Sequence, residues 1–150
     1  GSGGNVSARI PGKDLMLVKA SGSSFADSSP EGFVITDFDG NLVEGEGKPT
    51  REALLHGLLY RICPKVNAVV HVHSPYSIAW ASTGKALTRT TWHAKLKLYD
   101  ECPELPGFLL VDHGIVAVGK DAINAEHAAE LMEETAQVAI LKAAVSKLGL

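Results

Sequence analysis

Short apolar runs separated by glycine and polar residues occupy the first part of the chain, a pattern typical of strands and turns. Residues 14–19 predict a strand, followed by a loop of small residues at 20–24. The runs 33–36 and 42–43 flank an Asp39-Gly40 step, which is typical of a hairpin turn. This half of the chain therefore predicts antiparallel strands.

Helical spacing of apolar residues begins after Pro49. Thr50 is a candidate N-cap, and the apolar positions that follow it predict one core-facing stripe: Leu54, Leu55, Leu58, Leu59 and Ile62. Further along, the pattern predicts strands at 68–73, 108–111 and 115–118, a helical stretch at 76–82 and a long amphipathic helix at 121–148. No internal repeat or linker divides the chain, which predicts one domain over residues 1–150.

Composition narrows the class of protein. The chain has 150 residues, 45% of them hydrophobic and 21% charged, with a net charge of -3. That balance fits one folded domain and argues against nucleic acid or an anionic membrane as partner. No apolar run reaches the roughly 20 residues of a membrane span. Two cysteines, Cys63 and Cys102, stand outside any zinc or redox pattern, so we interpret both as packing residues in a reduced, cytoplasmic setting.

Two histidines share one face of the predicted strand at 68–73. Side chains alternate along a strand, so His71 and His73 point the same way, with their Cα atoms about 6 to 7 Å apart. At that spacing both imidazoles can reach one divalent cation. A pair of histidines that bond to neighbours or lie on an exposed edge fits the same pattern, so two hypotheses stand at this point.

A third histidine favours the metal-site hypothesis over the structural one. His113 lies between two apolar strands and precedes Gly114, which allows the backbone or a ligand to approach closely. Three imidazoles that leave one coordination position open are typical of a catalytic zinc site. The other histidines, His56, His93 and His127, are interpreted as structural or supporting residues.

Glu52 is the candidate acid or base. It lies in the first turn of the helix predicted after Thr50, where the helix dipole favours a carboxylate. The alternative is an ordinary glutamate at a helix start. His56 follows four residues later and shares its helix face.

Several small polar residues near element ends suggest an anion site that lacks a P-loop lysine. Such a site binds phosphate through hydrogen bonds and helix N-termini. Arg51 adds a possible cation, although an exposed arginine is common. The candidate positions are Asn5, Ser21, Gly22, Thr50 and Arg51.

Taken in order, these segments resemble the class II aldolase/adducin head-domain family, over nearly the whole chain. The resemblance rests on Gly4-Asn5-Val6-Ser7, Ala20-Ser21-Gly22, Pro49-Thr50-Arg51-Glu52, Ala68-Val69-Val70-His71-Val72-His73-Ser74 and Asp112-His113-Gly114. It implies an α/β fold with three layers, α/β/α, around a central, largely antiparallel sheet. It also implies a cyclic homotetramer with active sites at subunit interfaces.

The resemblance further implies the chemistry of the site. A divalent metal, Zn2+ in the first instance, is held by His71, His73 and His113, and the acid/base carboxylate falls on Glu52. The phosphate-binding positions fall on Asn5, Ser21, Gly22 and Thr50, with Arg51 beside them. The implied reaction is lyase chemistry, an aldolase-type cleavage of a small phosphorylated sugar through a metal-stabilised enediolate.

Other members of the family imply alternatives: a sugar-phosphate epimerase, a sugar-acid-phosphate decarboxylase, a dehydratase, or an adducin-like interaction module without catalysis. The family's 4-epimerases tend to carry aspartate where this chain has Glu52, which favours a lyase. Two departures from the family pattern concern the ends and the proton donor. The chain is short at both termini, and Trp92 and His93 stand where sugar-phosphate aldolases carry a tyrosine.

Overall fold

The computed structural model describes residues 3–22, 24–25, 28–89, 91–92, 94 and 107–149. Seven strands and three helices of this part of the chain are defined. The strands are β1 (Asn5–Arg9), β2 (Leu15–Lys19), β3 (Phe33–Asp37), β4 (Leu42–Glu44), β5 (Ala68–Val72), β6 (Gly107–Leu110) and β7 (Gly114–Gly119). The helices are α1 (Ala53–Ile62), α2 (Pro75–Ala81) and α3 (Ala122–Lys147).

The strands form one antiparallel sheet in the order β4-β3-β2-β1-β5-β7-β6. Alternate residues of β5 and β7 face opposite sides of it, so that Val69 and Val116 pack with α1, whereas Val70 and Ala117 pack with α3. Helix α2 packs against α3 on that second side. The result is the predicted three-layer α/β/α arrangement with a central antiparallel sheet.

Helix α1 differs from its prediction in two ways. It begins at Ala53, with Glu52 as the N-cap and no side-chain cap, so the prediction of Thr50 as the capping side chain is wrong. Thr50 instead accepts a bond at its carbonyl oxygen from the amide of Ala53. The predicted core-facing stripe is wrong at three of its five residues, whose side chains are 49 to 58% exposed: Leu54, Leu58 and Ile62.

The buried face of α1 is rotated from the predicted one and carries polar as well as apolar groups. Its buried residues are Ala53, His56, Gly57, Leu59 and Tyr60. Gly57 is required there because a Cβ at this position would overlap the carbonyl oxygen of Phe38. Close contact between the helix and the chain after β3 therefore sets how α1 lies on the sheet.

Strand β1 was not predicted as a strand, although it lies near the middle of the sheet. It pairs with β2 on one side and β5 on the other, with Asn5 opposite His71 and Ser7 opposite Val69. Because β1 is antiparallel to both neighbours, its first residue lies beside the end of β5 that carries His71. At this end of β1 and β5, segments that are distant in sequence lie next to each other.

Two expectations from composition concerned membrane spans and the cysteines. None of the helices in the described ranges has both the length and the apolar character of a membrane span. Cys63 packs in the core as expected, at 9% exposure, but it is disulfide-bonded, so the expectation of a reduced thiol is wrong at this residue. Cys102 lies outside the described residues.

Candidate functional site

Three histidines meet where interior strands of the sheet begin and end. His71 lies in β5, His73 follows this strand directly, and His113 lies in the turn between β6 and β7. Their ring centroids are 4.8 to 4.9 Å apart. One nitrogen from each ring lies within 4.8 Å of the other two. The three imidazoles predicted as metal ligands are therefore adjacent in the structure.

The orientation of His71 is set by the neighbouring strand. Its Nδ1 lies 2.8 Å from the carbonyl oxygen of Ile115, which can only accept, so Nδ1 carries the proton and Nε2 keeps its lone pair. This Nε2 lies 3.0 Å from the Nε2 of His73. Burial lowers the pKa of His71, an effect partly opposed by the carboxylate of Glu52. The neutral imidazole is the form that binds a metal.

The donor set and its spacing fit a divalent transition metal. Two nitrogen ligands at about 2.0 to 2.1 Å from a tetrahedral ion lie about 3.3 Å apart. The 3.0 Å between the Nε2 atoms of His71 and His73 is close to that value. His73 and His113 are exposed, which leaves one side of the cluster open to a small molecule. Three imidazoles with an open side suit catalysis better than a closed structural site.

Glu52 lies directly beside this cluster. Its Oε2 is 3.5 Å from the Nε2 of His71, and its Oε1 is 3.7 Å from the Nε2 of His113. The side-chain amide of Asn5 donates a hydrogen bond of 2.6 Å to Oε2. As the N-cap of α1, the carboxylate also lies at the positive end of the helix dipole. The structure thus places a partly buried carboxylate within 4 Å of the imidazoles of His71 and His113.

The turn that carries His113 has an unusual backbone. Asp112 adopts a positive φ of 55°, a conformation that Asp, Asn and Gly tolerate best. Its Oδ1 accepts a hydrogen bond of 2.5 Å from the hydroxyl of Ser82, at the end of α2. A Cβ at Gly114 would overlap the carbonyl oxygen of Val72, so this glycine is needed for the close approach of the turn to β5. These contacts hold His113 beside His71.

The predicted anion-binding positions Ser21 and Asn5 both contact the segment at the start of α1. The backbone N–H of Ser21 donates to the carbonyl oxygen of Lys48 at 2.8 Å, and its hydroxyl donates to that of Pro49 at 3.0 Å. The loop of Ser21 and Gly22 therefore lies against the segment that leads into Thr50. Arg51 is exposed.

Asn5 bonds to Glu52, so its amide is a neighbour of the carboxylate. The structure brings Ser21 close to the Pro49–Thr50 segment and Asn5 close to the histidines. That these positions bind phosphate stays a prediction.

A buried polar group beneath Glu52 was missed by sequence reasoning. The hydroxyl of Ser7 is 2.7 Å from the Nδ1 of His56 and 2.7 Å from the hydroxyl of Tyr60. Desolvation, with a smaller contribution from the charge of His71, lowers the pKa of His56 to about 3, and burial raises the pKa of Tyr60. Sequence reasoning interpreted His56 as a supporting residue. It gave Ser7 and Tyr60 no role of their own.

Three candidate residues remain: His127, Trp92 and His93. His127 is exposed on α3, with its Nε2 3.7 Å from the carboxylate of Glu126. Trp92 is 69% exposed. His93 lies outside the described residues.

Comparison with known proteins gives a consistent result. Residues 1–108 match the family described as the Class II Aldolase and Adducin N-terminal domain. The chain is 32% identical over 168 aligned residues to the L-ribulose-5-phosphate 4-epimerase UlaF of Salmonella paratyphi B. That alignment covers 91% of this chain and 74% of the relative.

Solved structures show the same fold. An L-fuculose 1-phosphate aldolase superposes with a TM-score of 0.85 at 25% identity, over 97% of this chain and 78% of the other. YgbL of Escherichia coli, a putative aldolase/epimerase/decarboxylase, superposes with a TM-score of 0.77 at 27% identity, over 94% of this chain and 79% of the other.

Proposed function

The chain belongs to the class II aldolase and adducin family, and from that premise we propose that it is a metal-dependent lyase that cleaves a carbon–carbon bond of a small phosphorylated sugar. The observation that carries the proposal is the position of the Glu52 carboxylate, 3.5 Å from His71 and 3.7 Å from His113. A binding module without catalysis has no need of a carboxylate beside three clustered imidazoles. That adducin-like alternative is therefore the weaker one.

We assign the metal to His71, His73 and His113, and Zn2+ is the ion that three nitrogen ligands favour. A metal ion held there would supply Lewis-acid polarisation of the substrate's carbonyl oxygen. His71 supports this assignment further, since its bond to Ile115 leaves Nε2 as the free donor.

Glu52 is the proposed acid and base. Carboxylates in such positions move a proton between a substrate hydroxyl or carbon and the enzyme. In a cleavage reaction, Glu52 takes or returns that proton at the carbon chain of the sugar. Asn5 donates to Oε2 and leaves Oε1, on the side of His113, as the oxygen available for it.

The phosphate of the substrate is proposed to bind at Asn5, Ser21, Gly22, Thr50 and Arg51. The contact of Ser21 with Lys48 and Pro49 supports the grouping, because it places a small-residue loop next to the segment that opens α1. The N-terminus of this helix favours an anion. Arg51 is exposed and can add a positive charge.

An epimerase is the second candidate, and the 32% identity to a ribulose-phosphate 4-epimerase is the observation that favours it. The two reactions share their first step. If the bond between C3 and C4 of a ketose breaks and the aldehyde is re-added on its other face, C4 is inverted. The same metal and the same carboxylate serve both, and the products tell them apart. A sugar-acid-phosphate decarboxylase or dehydratase uses related enolate chemistry.

From the family we propose a homotetramer in the cytoplasm; the cytoplasmic setting no longer rests on the cysteines, since Cys63 is disulfide-bonded. The exposed apolar row of α1, with Leu54, Leu58 and Ile62 each about half exposed, supports burial of this surface between subunits. The mass in solution, measured by light scattering, tests the assembly.

The test of function uses the Zn2+-loaded protein with a panel of ketose 1-phosphates and with L-ribulose 5-phosphate. Release of a triose phosphate and an aldehyde supports the lyase, and formation of the C4 epimer without release supports the epimerase. Glu52→Gln is the matched control, since it keeps the shape of the side chain and removes its charge. A fully metallated protein that transforms none of these, nor any sugar-acid phosphate, would refute the proposal.

A further inference from the structure

Three alternate residues of β1 bond to the N-cap of α1 and to two residues of this helix, at positions spaced about one turn apart. Asn5 donates to Glu52 at 2.6 Å, and Ser7 bonds His56 at 2.7 Å. Beyond them, the Arg9 Nη2 donates to the carbonyl oxygen of Tyr60 at 2.5 Å, with its guanidinium 4.9 Å from the ring centroid of Tyr60. We call this set the β1–α1 polar row; it consists of Asn5, Ser7, Arg9, Glu52, His56 and Tyr60.

The spacing of the polar row follows from the geometry of the two elements. Two residues along a strand advance about 6.6 Å, and four residues along a helix advance about 6 Å. Every second residue of β1 can therefore contact every fourth residue of α1 along the length of both elements. Three such contacts fix both the rotation of α1 and its position along β1.

The middle contact is the most deeply buried of the three. Ser7 is 1% exposed and His56 is not exposed at all. The hydroxyl of Ser7 also bonds the hydroxyl of Tyr60, so it joins two successive turns of the helix to one point on the strand. Hydrogen bonds shielded from water keep their directional preference, and an unpaired partner is costly there.

We infer that Ser7 and His56 are positioning residues, which hold the first turn of α1 so that the Glu52 carboxylate lies beside the histidine cluster. The inference rests on the proposed function of Glu52. It assigns these two residues no contact with the substrate or the metal. Their effect passes through the position of one carboxylate.

The arrangement of the ligands makes this role separable from metal binding. His71 and His73 belong to β5 and its end, and His113 belongs to the turn before β7, so none of the three lies on α1. A small displacement of α1 therefore moves Glu52 and leaves the three imidazoles in place. Loss of the middle contact is expected to lower kcat while metal affinity and KM stay nearly unchanged.

The first experiment compares Ser7→Ala, His56→Leu and His56→Asn in the Zn2+-loaded protein. The amide of asparagine can replace the Nδ1 atom of histidine in a bond to Ser7, whereas leucine cannot. We expect kcat to fall at least about tenfold in Ser7→Ala and His56→Leu, because small misplacements of a catalytic group have effects of this size or larger. His56→Asn is expected to recover most of that loss.

A stability control and a double-mutant cycle separate positioning from general damage. Val34→Ala removes core volume around Val18 and Ala20, in a cluster that none of the six residues of the polar row shares. At equal folded fraction it should leave kcat unchanged. In a Glu52→Gln background, Ser7→Ala should have no further effect on kcat, because both changes act through one group. Additive losses in this cycle, or an equal loss in Val34→Ala, would overturn the inference.

A readout without substrate keeps the inference distinct from the proposed function. The carbon-13 chemical shift of the Glu52 carboxyl, measured in the metal-free protein, reports its surroundings. It should change in Ser7→Ala and stay constant in Val34→Ala. An unchanged shift in Ser7→Ala refutes the positioning role even if the enzyme is active. A changed shift in a protein inert on every substrate supports the positioning and refutes the proposed function instead.

Discussion

The Nδ1 of His71 lies 2.8 Å from the carbonyl oxygen of Ile115, so the main chain of β7 selects which nitrogen of this imidazole is free. A histidine that donates one ring N–H to a carbonyl presents its other nitrogen as a metal ligand in a fixed direction. His71 is 0% exposed, which excludes water as a competitor for that proton. The sheet itself thus orients the innermost of the three imidazoles.

Removal of one outer imidazole should weaken metal binding with little effect on the fold. Loss of a residue that only supports a ligand costs about 10- to 100-fold in metal affinity. We expect His113→Ala to lower the affinity for Zn2+ by more than that, since a ligand itself is lost. Its side chain is 45% exposed, so the free energy of unfolding of the metal-free protein should change little.

Titration calorimetry with Zn2+ measures this effect, and His127→Ala provides the matched control. His127 is exposed on α3 and belongs to no cluster of potential ligands in the described part of the chain. Equal Zn2+ affinities in the two variants would contradict the assignment of His113.

Neutralisation of Glu52 should lower turnover strongly while the metal stays bound. Glu52→Gln keeps an oxygen that can accept the bond from Asn5, so the start of α1 should hold its position. Loss of a general acid or base typically costs about 100- to 10,000-fold in rate. Metal analysis and steady-state kinetics on the same sample measure both quantities. Glu130→Gln, on the surface of α3, is the control and should be as active as the natural chain.

Because of His56, the free energy of unfolding should decrease as the pH is lowered. Burial lowers its pKa to about 3 in the folded protein, against 6.5 for an exposed histidine. Between these values the unfolded chain binds a proton that the folded chain rejects, so the free energy of unfolding falls as pH falls from 6.5 toward 3. One such group contributes at most about 1.4 kcal/mol per pH unit in this window, and nothing above it.

Urea unfolding of the metal-free protein at pH 4, 5, 6 and 7 measures the slope. Other groups also titrate there, since hydrogen bonds lower the pKa values of Asp37 and Asp121. The comparison with His56→Asn isolates the histidine, because that variant should have the smaller slope between pH 4 and 6. If His127→Asn, an exposed control, reduced the slope equally, His56 would not be its source.

The histidine cluster and most of the strands, though not β1, were predictable because their signals are local. The two-residue period of a strand places His71 and His73 on one face whatever surrounds them, and His113 with Gly114 marks a tight turn between apolar runs. The largely antiparallel sheet between helical layers followed from the family resemblance, whereas the order and register of its strands are known only from the structure. The bounds of α3, predicted at 121–148, agree with the observed helix within one residue at each end.

The arrangement of β1 and α1 could not be predicted from hydrophobicity. β1 alternates polar and apolar residues, but Asn5 and Ser7 face the helix and are buried, the reverse of the usual pattern. In α1 the many leucines predicted the wrong buried face, because the true one pairs His56 and Tyr60 with polar groups of β1. Only the pairing of two polar faces, a tertiary relationship, decides between the alternatives.

Asp112 should tolerate only residues that accept a positive φ. Asp112→Asn keeps an acceptor for Ser82 and an accessible left-handed backbone, so its stability should be close to that of the natural chain. Asp112→Val should cost about 1 to 3 kcal/mol, from backbone strain and the lost bond. Its affinity for Zn2+ should also fall, since His113 is the next residue. Thermal unfolding and calorimetry measure the two effects; a Val variant as stable as the Asn variant would contradict this account of the turn.

Gly57→Ala should destabilise the protein although alanine favours helices. In an exposed helix position this change gains about 1 kcal/mol. Here a Cβ would overlap the carbonyl oxygen of Phe38, so α1 must move away from the chain after β3 and the polar row must shift with it. We expect a net loss of about 1 to 3 kcal/mol, as for other overpacked sites. Glu130→Ala, at an exposed position of α3, should change stability far less. Because Glu52 belongs to the same helix start, Gly57→Ala should also lower kcat, and urea unfolding together with kinetics would show both losses in one variant.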